Sequence, residues 1–223
     1  PENLHTASKK LVTVDCVVFG FDGREFSLLL KNVKTTRSEK RFRLISGFLT
    51  GTESAEETAV RIIGESTGLD HTQPEQIFSF SRFCEDYGEV AVSIAYYVVI
   101  HTKEIHIPVT DNLKWLARKD LANTQLELYQ VIECAFQKLR QKTFFNLPGL
   151  KLLPEKFTWN QLHKLYEAIT EKHVDSRNLQ KKFNSMRIIK RLREKEKSGS
   201  KKGSFLYSFN KAYHGPITLS TNV

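Results

Sequence analysis

The segment Leu11–Gly20 (LVTVDCVVFG) is β-branched and apolar, interrupted by Asp15, and predicts a strand. Phe21-Asp22-Gly23 reads as a turn and Glu25–Lys31 (EFSLLLK) as a returning strand, so the pair predicts a hairpin. A polar, basic loop spans Asn32–Arg41, and Arg43–Leu49 (RLISGFL) reads as a short strand entering a glycine-bearing turn. Ser54 and Glu57 have capping-box spacing, so a helix opens there; Glu57 and Arg61 are spaced to pair at i,i+4, and Gly68 supplies the stop. Ile77–Cys84 and Val90–His101 predict strands around the acidic turn Glu85-Asp86-Tyr87-Gly88. Leu126–Lys142 predicts a helix, with Leu128, Val131, Ile132, Ala135, Phe136 and Leu139 on one stripe. Residues 8–143 therefore read as a mixed sheet with two packed helices.

Phe144–Lys156 (FFNLPGLKLLPEK) carries two prolines and a glycine between helical patterns, which places a junction at 144–156. It is too apolar for a flexible linker and is expected to pack. Beyond it, Thr158 caps a predicted helix to Thr170, with Leu162, Leu165, Tyr166 and Ile169 on one face. Lys172-His173-Val174 turns the chain, and Asp175 caps a second helix with Leu179, Phe183 and Met186 inward. Ile188–Glu194 and Ser204–Phe209 then predict two strands joined by a loop with Lys195, Lys197, Lys201 and Lys202. Helix, turn, helix and basic-tipped hairpin over 157–215 form the layout of a winged helix-turn-helix.

Charge sharpens this division. Residues 1–150 hold 18 Lys+Arg against 19 Asp+Glu, whereas 151–223 hold 16 against 6, so the last third carries the whole basic excess. Such asymmetry points to a polyanionic partner, nucleic acid before membrane. The outward face of the second helix bears Arg177, Gln180, Lys181 and Asn184, with Asn178 beside them. Arginine suits guanine, glutamine or asparagine suits adenine, and lysine suits phosphate. That face has no aromatic residue on which RNA bases would stack, which favours double-stranded DNA.

The chain has no apolar run long enough for a transmembrane helix. Its first ten residues lack the order of a signal peptide, so a cytoplasmic location is expected. Cys16, Cys84 and Cys134 form no CxxC pair and sit in or beside apolar stretches, where each is expected to be a buried thiol rather than a disulfide or metal ligand.

One stretch carries a more specific signal. Residues 47–69, GFLTGTESAEETAVRIIGESTGL, resemble the Nudix box G-x5-E-x7-R-E-U-x-E-E-x-G-U, where U is aliphatic. Gly47, Glu53, Arg61, Ile63, Glu65, Gly68 and Leu69 match without gaps. In active members of that family three box carboxylates hold divalent metal against a pyrophosphate; here those positions are Ile62, Glu65 and Ser66. The glycine that precedes the box in the family is Ser46. The resemblance thus implies the fold without the hydrolase: no metal, no cofactor and no catalytic residue are expected. Glu53 and Arg61 are expected to brace the loop against the helix.

With LLPEKFTWNQLHKLYEAI and DSRNLQKKF in the basic part, the chain resembles over nearly its whole length the Nudix-related transcription regulators. The resemblance implies an α+β protein, a Nudix-like mixed β-sheet/α sandwich followed by a winged helix-turn-helix. It also implies a homodimeric, membrane-free regulator, a repressor by expectation, on palindromic operator DNA. Some members respond to ADP-ribose; others, with eroded boxes, respond to pentoses such as arabinose, and the losses at Ile62 and Ser66 lean toward these. Candidate effector ligands are Asp15, Arg43, Ser46, Glu65 and Arg82, polar groups near the box and the adjoining strand ends. The competing readings are an ADP-ribose-type hydrolase with an appended basic domain and an RNA-binding protein.

The basic module generates a direct test on duplex DNA. Arg177→Ala should lose about 1–3 kcal/mol of discrimination between operator and random duplex. Lys201→Ala and Lys202→Ala should instead weaken both duplexes alike and flatten the salt dependence. Fluorescence anisotropy over a salt series separates the outcomes, and equal losses from all three would make Arg177 a phosphate contact.

Overall fold

A strand that is apolar on both faces has to lie inside a sheet covered on both sides. The segment Val12–Phe21 (β1) does so, and every residue after Val12 is buried. The computed structural model describes residues 10–23, 25–33, 41–69, 71–84, 87–102, 112–123, 128–145, 152–197, 203–210 and 212. Within these, β1 pairs along its length with the parallel strand Glu89–His101 (β6), whose outer neighbour is Glu75–Cys84 (β5). On the other edge β1 meets Phe26–Val33 (β2) and Ile45–Phe48 (β4), while Arg41–Arg43 (β3) and Leu113–Ala117 (β7) pair with β2. The result is a seven-stranded mixed sheet.

Period-two alternation sends the side chains of β1 to two different cores. Val14, Cys16 and Val18 pack with Ala59, Ile62 and Ile63 of the helix Ala55–Thr67 (α1). Val17, Phe19 and Phe21 pack with Ile132, Ala135, Phe136 and Leu139 of Tyr129–Phe145 (α2). The expected mixed sheet with packed helices is therefore present, with an antiparallel β1–β2 hairpin. The Ser54 capping box closes as expected: Glu57 takes the Ser54 N–H at 2.7 Å and Ser54 Oγ takes the Glu57 N–H at 3.2 Å. That use of Glu57 corrects one expectation, because Arg61 pairs with Glu53 and Glu65 instead. Gly68 ends α1 at φ 75°, a conformation open to glycine.

Two further expectations are corrected, and two elements appear that the sequence did not announce. The strand read at Arg43–Leu49 is split at buried Leu44, since β3 pairs with β2 and β4 with β1, and a change of partner requires a break. Strand β7 and the 3₁₀ turn Arg118–Asn123 fall where the sequence shows no period. Cys134 is exposed, while Cys16 and Cys84 are buried, because Cys134 lies on the outer side of α2. No helix of the described residues is long and apolar enough to cross a membrane.

The basic part folds as Phe157–Thr158 (β8), Trp159–Thr170 (α3), Ser176–Ser185 (α4), Ile189–Glu196 (β9) and Ser204–Phe209 (β10). Thr158 and Gln161 form a second capping box, and Asp175 caps α4 by accepting the Asn178 N–H at 2.8 Å. The wing is one strand richer than the sequence indicates: β8 pairs with β10, giving the order β8-β10-β9. Leu162, Leu165, Ile169, Leu179 and Phe183 form its core, which runs without interruption into the α2 side of the large sheet. Residues 146–151 of the junction, the basic wing tip 198–202 and the acidic pair 85–86 lie outside the described residues.

Three described non-glycine residues, Leu128, Glu171 and Arg187, have φ of 67°, 54° and 55°. Left-handed backbone costs an L residue about 1–2 kcal/mol, so tertiary contacts must hold each one there.

Phe136 joins the packing most centrally. Its ring meets Phe19 and Phe26 edge-on at 6.1 and 5.6 Å, and the Arg118 guanidinium lies 3.9 Å from its centroid. Phe136→Ala should lower stability by about 3–5 kcal/mol in a denaturant titration. A loss below about 1 kcal/mol would mean that this ring is not packed into the α2-side core.

Candidate effector cavity and nucleic-acid face

The remnant box is a brace. Glu53 accepts from Arg61 Nε at 2.9 Å and Nη2 at 3.0 Å, and from Thr58 Oγ1 at 3.1 Å. The Arg61 hydrogen bonds, with those of Thr58 and Thr50, hold the Glu53 carboxyl below its usual range. Arg61 Nη2 also donates to the Phe48 carbonyl at 3.1 Å, tying the end of β4 to α1. Ile62 is 3% exposed and belongs to the core beneath β1. It lies so close to Gly47 that a Cβ there would stand 2.7 Å from Ile62 Cγ2. Glu65 projects outward, 62% exposed, and accepts from Arg61 Nη1 at 3.3 Å. Ser66 is half-buried. Among the described residues no three His, Cys, Asp or Glu side chains group to hold a metal ion.

A cavity of about 380 Å³ opens on the opposite face of the sheet, at the start of β1. Asp15, Arg43, Ser46 and Arg82 all line it, so four of the five candidate effector ligands are brought together, and Glu65 is not among them. Asp15 is 1% exposed, and a buried carboxylate requires partners. Ser93 Oγ donates to Asp15 Oδ2, and Arg82 Nε stands 3.6 Å from the same oxygen. Behind Asp15, burial and then the Asp15 charge push the Cys16 thiol up, so it stays protonated.

Thr13, Lys31, Phe48, Tyr87 and Leu128 also line the wall and were missed in the sequence. Two of them had a readable signal. Thr13 shares the face of Asp15 by strand alternation, and its buried hydroxyl makes no hydrogen bond among the described residues. Lys31 lies opposite Arg43 across the β2–β3 ladder. Phe48 and Tyr87 come from distant segments and meet edge-on at 5.0 Å, a pairing that no local pattern announces.

On α4, Arg177, Asn178, Lys181 and Asn184 are exposed on one side. Gln180 is half-buried, and its amide donates to the Tyr207 hydroxyl at 2.9 Å, so it also ties α4 to the wing. Lys201 and Lys202 lie outside the described residues. The outer strand β9 adds exposed Lys190, Arg191, Arg193 and Lys195, and both Arg191 and Lys195 stand 4.6 Å from the Phe205 ring centre. The sequence placed Lys195 in the hairpin loop, whereas it falls inside β9.

Comparison with known proteins agrees with this architecture. Residues 149–209 match the family described as the NrtR DNA-binding winged helix domain. The ADPR responsive transcriptional repressor NtrR of Acinetobacter baylyi is 23% identical over 205 residues, covering 89% of this chain and 82% of that protein. The crystal structure of Shewanella oneidensis NrtR superposes with a TM-score of 0.73 at 23% identity, covering 90% of this chain and 94% of the other. A MutT/nudix family protein from Enterococcus faecalis superposes with a TM-score of 0.70 at 21% identity, covering 91% and 89%. The chain is thus an α+β protein with a Nudix fold followed by a winged helix, similar over nearly its whole length to Nudix-related transcription regulators.

The burial of Ile62 has a measurable consequence. Ile62→Glu restores the acid of the Nudix pattern but places a charge in an apolar core, so it should lower Tm steeply, by roughly 3 kcal/mol or more of stability. Ser66→Glu, at a half-buried position, should cost far less. Similar Tm values for the two variants would show that Ile62 can turn outward.

Proposed function

We propose that this chain is an effector-responsive transcription repressor whose winged helix binds double-stranded operator DNA and whose Nudix-fold part binds a nucleotide sugar without hydrolysing it. On this reading residues 8–143 sense, 144–156 join and 157–215 bind DNA. The cavity carries the proposal. Its wall sets a buried carboxylate and an unpartnered hydroxyl beside the cationic Lys31, Arg43 and Arg82. Carboxylate and hydroxyls suit the hydroxyls of a sugar, the cations suit phosphate oxygens, and the Phe48–Tyr87 pair supplies a flat apolar surface. Three cationic side chains and one acid line this wall, so a phosphate-bearing sugar fits it better than a free pentose. The relatives support this direction: the Acinetobacter baylyi repressor is named for its response to ADP-ribose. One Shewanella oneidensis NrtR structure contains a 27mer DNA, and its Nudix domain has been solved with ADP ribose.

A Nudix fold ordinarily implies a divalent cation, and the donor set here does not fit one. Ile62 is core, Ser66 is not an acid, and Glu65 points away from the cavity into a surface ion pair with Arg61. No hydrolytic step is therefore assigned to this chain. On the DNA side, Arg177, Asn178, Lys181 and Asn184 face the major groove, Gln180 secures the helix to the wing, and Lys201 and Lys202 grip backbone. Two copies acting as a homodimer would set two α4 helices on a palindrome, about 34–36 Å apart.

Calorimetric titration of the full chain with ADP-ribose, arabinose and ribose tests the cavity. ADP-ribose should bind and the free pentoses should not, and Arg43→Ala should weaken binding about tenfold, or about 1.4 kcal/mol. Binding of arabinose alone would return the sensor to the pentose class. Turnover of ADP-ribose with Mg²⁺ or Mn²⁺ that disappears in Glu65→Gln would reinstate the hydrolase.

A further inference from the structure

We propose that Arg118 and Glu171 are positioning residues through which occupancy of the cavity reaches the turn between α3 and α4; this rests on the sensor reading above. Glu171 is the left-handed cap of α3, at φ 54° and ψ 28°, and begins the turn that sets the direction of α4. Its carboxylate is shared between two arginines of the Nudix-fold part. Arg118 Nε donates to Oε1 at 2.9 Å, and Arg140 Nη2 donates to Oε2 at 2.6 Å. Arg140 Nε also donates to the Ile169 carbonyl at 3.1 Å, satisfying a group that the end of α3 leaves without a helical partner.

Arg118 is held firmly on its other side. It is 17% exposed, its Nη1 and Nη2 reach the two Glu133 oxygens at 2.8 and 3.1 Å, and its plane covers Phe136. The Arg118 hydrogen bonds keep the Glu133 carboxyl below its usual range, so the pair stays charged near neutrality. Two arginines and two glutamates thus close a charge-balanced clamp over one aromatic ring.

The carriers of this clamp both start at the cavity. Arg118 follows β7 directly, and Leu113 of β7 pairs with Lys31, a cavity residue. Glu133 and Arg140 ride on α2, whose first turn hangs from the Leu128 carbonyl, which accepts the Val131 N–H at 2.9 Å. Leu128 lines the cavity and is held at φ 67°. Left-handed non-glycine residues therefore mark both ends of the path, one at the cavity wall and one at the turn. From Leu128 to Arg140 the helix spans about 18 Å as a rigid rod. Glu171 gives one oxygen to the arginine after β7 and the other to an arginine on α2. A ligand that shifts Leu128 moves α2 against β7, and Glu171 cannot follow both, so the turn is released and α4 loses its fixed direction.

The test measures operator binding of the full chain by fluorescence anisotropy, with and without saturating ADP-ribose, on a duplex selected from a random pool. In the unmodified protein, ADP-ribose should weaken operator binding by a factor within about 5–150, the range typical of coupled sites. Arg118→Gln and Glu171→Gln should bring that factor to about 1, with calorimetric ADP-ribose affinity kept within about twofold. Lys119→Gln is the control. It removes the neighbouring surface pair with Glu25 at 2.5 Å, outside the clamp, and should leave the coupling intact. Full coupling in both clamp variants would overturn this proposal and leave the sensor reading standing. Absence of coupling in the unmodified protein, despite binding of both ligands, would overturn both. Loss of coupling in Lys119→Gln as well would show a general loosening and count against the clamp.

Discussion

The constraint on which the rest depends is the burial of β1 on both faces. A strand with every residue after Val12 buried has no room for a charge, yet Asp15 sits in its middle at 1% exposure. That acid has to be surrounded by donors, and Ser93 and Arg82 are drawn to it from the neighbouring strands. The polar cavity is the outcome of this requirement. It exists because one strand position breaks an apolar run, and the surrounding strands supply what the break demands. The same strand separates two chemistries, with the remnant box under one face and the cavity with α2 over the other.

On the box side, motif residues persist in altered roles. Gly47 and Ile62 fit each other by contact, so the apolar residue and the missing Cβ form one packing unit. Glu53 and Arg61 remain paired and fix the Phe48 carbonyl, which holds the aromatic edge of the cavity in place from behind. The box residues thus support the cavity wall from behind.

Much of this was legible because it is local. The Ser54 capping box, the Thr158 and Asp175 caps, the Gly68 stop, the apolar stripes of α2, α3 and α4 and the division of charge all follow from spacing and composition. What escaped depends on contacts between distant segments. Strand β8 is defined only by its partner β10, and β7 only by β2. Asp15, Arg43, Ser46 and Arg82 stood out as polar groups near the box and the adjoining strand ends, whereas Tyr87 and Leu128 reach the cavity through turns whose geometry no period encodes. Glu65 was drawn in by the motif, but helix geometry turns it to solvent. Gln180 belongs by pattern to the outer face of α4, and a single hydrogen bond to Tyr207 diverts it.

One apolar core and one charged clamp join the Nudix-fold part to the winged helix, and the proposed coupling runs through that joint. Hydrogen–deuterium exchange on the full chain, with and without ADP-ribose and without DNA, tests that claim most directly. Ligand should slow exchange in the cavity strands β1 and β4 and, at the same time, speed exchange of the amides from Glu171 to Asp175 and of the first turn of α2. Slowing confined to the cavity strands, with the α3–α4 turn unchanged at every exchange time, would contradict it.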